Sequence, residues 1–265
     1  MKKAVSQLFF GIILFFGIWF GLNQIDFVEF FEIEKTKSQI EEALGDFYIK
    51  MLVQNTGEIT DNEIIAPVEE IKQRICIKNN IDNAGIELHI VKSGDINAFA
   101  LPGRHIVVNS ALILFCKNPE ELAGVMAHEI AHIEKNHIMQ KLVKEIGLST
   151  LSAMINSGSG GAESLRILTS TAYDRKMEDQ ADETGVGYLQ KSRINPDHLA
   201  DFMFRLSMQE NDFIKNLTFI STHPETGKRA QKILDLSHKE QMEYIPVLTD
   251  SIWQKLQNDA KNYEL

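Results

Sequence analysis

Only two cysteines occur in 265 residues, Cys76 and Cys116, with no CxxC and no neighbouring Cys/His cluster. That spacing excludes a zinc finger, a thioredoxin-like motif and a disulfide-dense scaffold. The two thiols read as small core residues, with a single disulfide as the alternative in an oxidising compartment. Positive charge is also scarce: 27 Lys and Arg stand against 37 Asp and Glu, a formal charge of -10. No Lys/Arg block breaks that balance, so the electrostatic footprint of a nucleic-acid partner is missing. Internal repeats and heptad arrays are absent, which removes solenoids and coiled coils. With 44% hydrophobic residues, the chain holds apolar material for one substantial core, and a single catalytic-sized domain is expected.

Charge vanishes altogether between Leu8 and Leu22, LFFGIILFFGIWFGL. A helix from Ala4 to Leu22 would span about 28 Å, close to the hydrocarbon thickness of a bilayer. Phe and Ile occupy every face, which argues against a core helix. The stretch ends WFGLNQ, with bulky residues where a signal peptide carries small ones, so an uncleaved anchor through residues 4–22 is expected. Secretion after signal cleavage is the alternative. Lys2 and Lys3 precede the segment and Asp26, Glu29 and Glu32 follow it. This asymmetry puts the N-terminus in the cytoplasm and the bulk of the chain outside it, in the cell envelope.

Beyond the anchor, Ile64, Ile65, Val68, Ile71 and Ile75 recur at helical spacing and predict an amphipathic helix over Asn62–Lys78, strained or started at Pro67. IELHIV (86–91) and INAFAL (96–101) cluster apolar residues, and Pro102-Gly103 turns the chain into HIVVN (105–109). A small antiparallel sheet is expected there. NSGSGG (156–161) reads as a linker. The organisation that follows is a membrane or signal segment at 1–22, a connecting helical segment at 23–60, a main domain at 61–240 and a tail with a short helix at 241–265.

The run ELAGVMAHEIAHIEKNHIMQKL carries HEIAH at 128–132. Asn118 can cap its helix, Pro119 suits the first position, Glu121 completes a cap-to-third-position pair, and Gly147 can end it. Residues four apart share a helical face, so His128 and His132 can bind one zinc ion while Glu129 reaches a water beside it. A third His six residues beyond the second would mark another zinc-protease subtype, but that position is Ile138; His137 reads as a packing or partly exposed residue. Catalytic zinc takes three protein ligands and keeps one position open. The best source of the third is TAYDRKMEDQADETG (171–185), where Glu178 and Asp182 are four apart, as a ligand and its orienting carboxylate would be. Glu163, Asp174 and Asp179 are rivals by chemistry.

Four ordered blocks, NAFALPGRHIVVNSALI (97–113), the HEIAH helix, YDRKMEDQAD (173–182) and STHPETGKRAQKI (221–233), resemble the zinc metallopeptidases that include HtpX, the type I CAAX prenyl proteases, BepA and LoiP. The resemblance covers about residues 62–236. It implies an α+β, mainly helical gluzincin-type domain with one zinc ion per chain, bound by His128, His132 and Glu178. It further implies Glu129 as general base of a zinc metalloendopeptidase, His223 as a transition-state stabiliser, Asp182 as a partner behind the ligands and Arg229 in a buried charge contact, with Asp182 as the candidate partner. Asn97, Ala98, Phe99 and Ala100 match the strand that would pair with an extended substrate. Asp174 departs from the family pattern, which often has Ser there. The implied substrates are unfolded or misfolded proteins and peptides, in envelope quality control. A non-catalytic, zinc-stabilised chaperone or peptide-binding protein of the same fold is the alternative.

Overall fold

The computed structural model describes residues 38–157, 164, 166–168, 171–209, 218–239 and 242–263. The expected anchor at 4–22 and most of the NSGSGG segment lie outside them. Among the described residues, no helix is long and apolar enough to cross a membrane.

The described part opens with α1 (38–56) and then α2 (Asn62–Lys78), the helix whose bounds the apolar spacing predicted. Asp61 caps α2 by accepting from the Glu63 N–H at 3.0 Å, and Pro67 lies inside the helix. Its buried stripe, Ile64, Val68, Ile71 and Ile75, faces the core.

Three short strands follow: β1 (Glu87–Val91), β2 (Ala98–Leu101) and β3 (His105–Asn109). Their order is β1-β3-β2. Here the expected antiparallel sheet is corrected: β2 and β3 are an antiparallel hairpin, but β1 runs parallel to β3, so the sheet is mixed. The hairpin follows from Gly103 and Arg104, whose positive φ angles of 76° and 62° suit a tight strand-reversing turn. Central β3 is buried along its whole length, which fits its apolar IVV run. β1 and β2 are the two edges, and the outer side of β1 carries the isolated bridge between Glu58 and Val91.

After α3 (Ser110–Phe115) comes α4 (Pro119–Glu134), buried from Pro119 to Ile133 except at Glu120. Asn118 caps it by accepting from the Glu121 N–H at 2.9 Å, and Glu121 answers by accepting from the Lys117 N–H at 2.8 Å. The single helix expected up to Gly147 is in fact two. Asn136 adopts a left-handed conformation, φ 58°, which Asn tolerates better than most residues, and α5 (His137–Ile146) starts on a new axis before Gly147 ends it. Next are α6 (Leu148–Ser157), α7 (Arg175–Lys191), α8 (Asp197–Gln209), α9 (Thr218–Thr222), α10 (Thr226–Ser237) and α11 (Asp250–Ala260). One core joins residues of α1, the sheet, α2, α4, α7, α8, α10 and α11. Cys76 and Cys116 are buried and free.

Central α4 packs on α7 and α8, and the second contact is very close. A Cβ on Gly124 would meet Leu199 Cβ at 2.7 Å. Gly124→Ala is therefore expected to force α4 and α8 apart and to cost about 1–2 kcal/mol, overpacking outweighing the gain in helix propensity. Denaturant unfolding checks this, and an unchanged or higher midpoint would show that Leu199 yields freely.

Candidate metal centre

Four elements converge on one buried point. α4 delivers His128, Glu129 and His132, α7 delivers Glu178 and Asp182, α10 delivers Arg229, and His223 follows directly after α9. All seven side chains are buried, none more than 6% exposed.

His128 Nε2 and His132 Nε2 lie 3.0 Å apart, near the roughly 3.3 Å that separates two donors on one tetrahedral ion with bonds of about 2.0–2.1 Å. Glu178 Oε1 is 3.4 Å from His132 Nε2, and Glu178 Oε2 is 3.6 Å from His128 Nε2. His223 joins the same group, with Nδ1 2.9 Å from Glu178 Oε1 and 3.3 Å from His128 Nε2. Donor atoms of His128, His132, Glu178 and His223 all fall within 4.8 Å of one another. The expected ligands are thus together, and His223 is among them rather than beyond them.

The donors are oriented from behind. His128 Nδ1 is 3.1 Å from Asp182 Oδ1, so its N–H points at that carboxylate and Nε2 points into the centre. His132 is set by a longer chain. With the Gln180 amide oxygen as acceptor, His137 Nε2 donates to it at 3.2 Å; His137 Nδ1 then accepts from His132 Nδ1 at 3.0 Å, which frees His132 Nε2. His137 is accordingly 1% exposed and bonded to a donor of the centre, not the partly exposed side chain that helical spacing allowed. Tyr173 lies against His132 at 4.2 Å between ring centroids, and Phe219 stacks on His223 at 4.5 Å. These rings fix both imidazoles sideways.

Arg229 balances the carboxylates. Its Nε and Nη2 donate to Asp182 at 2.8 and 2.7 Å, and Nη1 contacts Glu178. Burial alone would raise the Glu178 carboxyl, but His223 and Arg229 outweigh it and hold the pKa well below the ordinary range. Asp182 is lowered by Arg229 against the same burial. Glu129 is raised, because its burial outweighs the opposing effect of His223 and His128. Burial opposes charge on His128 too, yet Asp182 and Glu178 lift it to about 9. Because the folded pKa values of Glu178 and Asp182 are depressed, their stabilisation is present above the ordinary carboxylate range and is lost as pH falls below it.

A divalent metal ion fits this donor set. Two imidazole nitrogens and a carboxylate converge on one point, and among the described residues Glu129 Oε1 and His223 Nε2 have no hydrogen-bond partner. The other Glu129 oxygen accepts from the Ala100 N–H at 3.0 Å, linking the acid to edge strand β2. Of the remaining predicted substrate residues, Asn97 and Ala98 are buried and Phe99 partly so.

The rivals for third ligand are placed elsewhere. Asp174 caps α7 by accepting from the Met177 N–H at 2.9 Å, a task to which Ser is equally suited. Asp179 pairs with Lys232 at 2.9 Å on the surface, and Glu163 lies outside the described residues. Sequence reasoning missed Gln180, Phe219 and Lys141, whose ammonium lies 4.2 Å over the Tyr173 ring and is pushed down by burial to about 8. Tyr173 stood inside a quoted block, but only tertiary packing turns it towards His132.

Residues 62–237 match peptidase family M48. The chain is 26% identical over 204 residues to the β-barrel assembly-enhancing protease of Yersinia pestis, covering 71% of this chain and 42% of that protein. It is 29% identical over 171 residues to the mitochondrial metalloendopeptidase OMA1 of Schizosaccharomyces pombe, covering 63% and 51%. With the metalloprotease LoiP of Escherichia coli K12 it shares 25% identity over 209 residues, 73% and 82% of the two chains. The aligned part thus spans about half the length of the first two relatives.

Arg229→Met should leave Glu178 and Asp182 buried without a counter-charge and cost about 3–5 kcal/mol. Denaturant unfolding of chelator-treated protein reads this directly. An unchanged midpoint would mean that the two carboxylates take up protons at no cost.

Proposed function

The chain belongs to peptidase family M48, and from that membership and the geometry of the centre we propose a zinc endopeptidase of the HExxH type in which Glu129 is the general base. The observation that carries this reading is the state of Glu129. One oxygen is pinned by the Ala100 N–H, while the other is buried and unbonded, 3.4 Å from His223 Nε2 and beside the metal donors. A carboxylate whose only work was structural would have both oxygens satisfied.

His128, His132 and Glu178 would hold the zinc ion, which supplies Lewis-acid chemistry when bound. Glu129 takes a proton from the attacking water. Its burial raises its basicity towards working pH, which suits a group that must accept a proton and then give it to the leaving amine. His223 Nε2 donates a hydrogen bond to the carbonyl oxygen as negative charge develops there. A peptide segment lies along β2, whose outer edge is unpaired within the sheet and carries the Ala100 N–H that also holds Glu129. Backbone pairing of this kind reads little side-chain information, so unfolded or misfolded proteins are the proposed substrates. Similarity to a protease named for β-barrel assembly supports a role in envelope protein quality control. The segment at 4–22 would anchor the chain, with its catalytic part outside the cytoplasm.

A second role for His223 is favoured by its other nitrogen. Nδ1 stands among the donors, 2.9 Å from Glu178 Oε1, as a fourth ligand would. Its two nitrogens therefore face the two tasks separately. A chaperone or peptide-binding protein without turnover would keep the centre for stability alone, but the unbonded Glu129 oxygen would then have no use.

Glu129→Gln is expected to abolish cleavage of an unfolded substrate such as casein while zinc content stays near that of the parent chain. Full activity in that variant would remove Glu129 from the mechanism. His223→Phe should keep zinc and lower kcat by roughly 10² to 10³ with little change in KM if Nε2 serves the developing oxyanion. Loss of zinc affinity without a fall in kcat at saturating metal would instead assign His223 to coordination.

A further inference from the structure

Outside this centre, a second set of donors meets on the sheet. The parallel register sets Glu87 beside His105, and two-residue alternation puts His89 on the face of β1 that carries Glu87. His89 Nε2 and His105 Nδ1 are 3.1 Å apart. Glu87 Oε2 stands 3.6 Å from His105 Nδ1 and 4.0 Å from His89 Nε2. All three donor atoms fall within 4.8 Å of one another, and donors sharing one tetrahedral ion stand about 3.3 Å apart. Only Glu87 must move, and its side chain is 65% exposed and free to do so.

Behind His89 the arrangement is that of an oriented ligand. Nδ1 donates to Glu58 Oε1 at 2.7 Å, which leaves Nε2 with its lone pair towards His105 and Glu87. Both imidazoles are buried, whereas the carboxylate opens to solvent and gives an ion a way in. Glu58 belongs to the segment that follows α1 and makes an isolated bridge with Val91 of β1. α1 itself lies against the cluster: a Cβ on Gly45 would meet Pro102 O at 2.5 Å and the His105 ring at 3.0 Å.

We propose that Glu87, His89 and His105 form a second divalent-cation site of the zinc class, separate from the M48 centre, which fastens the segment after α1 to the sheet. Two imidazoles and one carboxylate favour zinc or cobalt over calcium or magnesium, whose sites are built from oxygens. Three protein donors leave one position for solvent. The competing arrangement needs no ion: His105 Nδ1 donates to His89 Nε2, and His89 Nδ1 donates to Glu58. Glu87 has no part in that hydrogen-bond chain, and this separates the two arrangements.

The test is zinc titration of the full-length, tag-free chain carrying Glu129→Gln to suppress self-cleavage, with bound metal counted and melting followed with and without zinc. About two zinc ions per chain are expected. Glu87→Ala should weaken one of them by roughly tenfold or more, leave the melting temperature in chelator unchanged and leave the other equivalent intact. Glu178→Ala should weaken the other equivalent alone. One zinc per chain in the parent, or a second zinc whose affinity does not change in Glu87→Ala, would overturn the proposal. His105→Ala is a supporting variant only, since it also breaks the hydrogen-bond chain. Exposed Glu87 decides the matter without that ambiguity.

Discussion

Arg229 places a permanent positive charge among buried carboxylates, and the geometry of the metal centre follows from where its guanidinium points. Its fork to Asp182 and its contact with Glu178 tie α10 to α7. Asp182 in turn takes the His128 N–H, so one ion pair on two helices decides which nitrogen a third helix presents. A lysine could supply the charge but not the planar fork that reaches two carboxylates at once. The arrangement costs desolvation, and that cost is offset only while every member is present.

Orientation of the second imidazole uses no charge. Gln180, His137 and His132 form a chain of neutral groups in which one amide oxygen sets two tautomers. Such a chain depends on the left-handed Asn136, because the break there starts α5 at His137 and turns that side chain back towards α4. An unbroken helix would have carried His137 about 140° round the axis from His132, well off the face that His132 uses. The sheet contributes differently, through the main chain, by giving the Ala100 N–H to Glu129.

Much of this was readable along the chain. The α2 stripe, the Asn118 cap and the HEIAH face are local, because they rest on propensity and on spacing within one helix. Glu178 and Asp182 could be placed on one face but not chosen over Asp174 by spacing, since a capping carboxylate and a ligating one look alike until the helix start is known. The mixed sheet was not legible: the 102–104 turn specifies the hairpin, whereas the pairing of β1 with β3 is set by packing across the molecule. That same non-local register hid the Glu87, His89 and His105 cluster, although ELH and HIVVN stood in plain view. Family resemblance named Arg229 and His223, which no periodicity would have chosen.

The bond between Glu129 and Ala100 has a consequence for how a peptide can lie on β2. An edge strand offers its outward N–H and C=O groups at every second residue, and on β2 those residues are Ala98 and Ala100, since the Asn97 carbonyl accepts from Asn109 on the β3 side. Glu129 already occupies the Ala100 N–H. An added strand can therefore pair with the edge up to residue 100 but cannot use that donor while the acid holds it. On the proposed reading the ladder would be interrupted beside Glu129, and the interruption would work as a ruler, measuring the cut from backbone position whatever side chains the polypeptide carries.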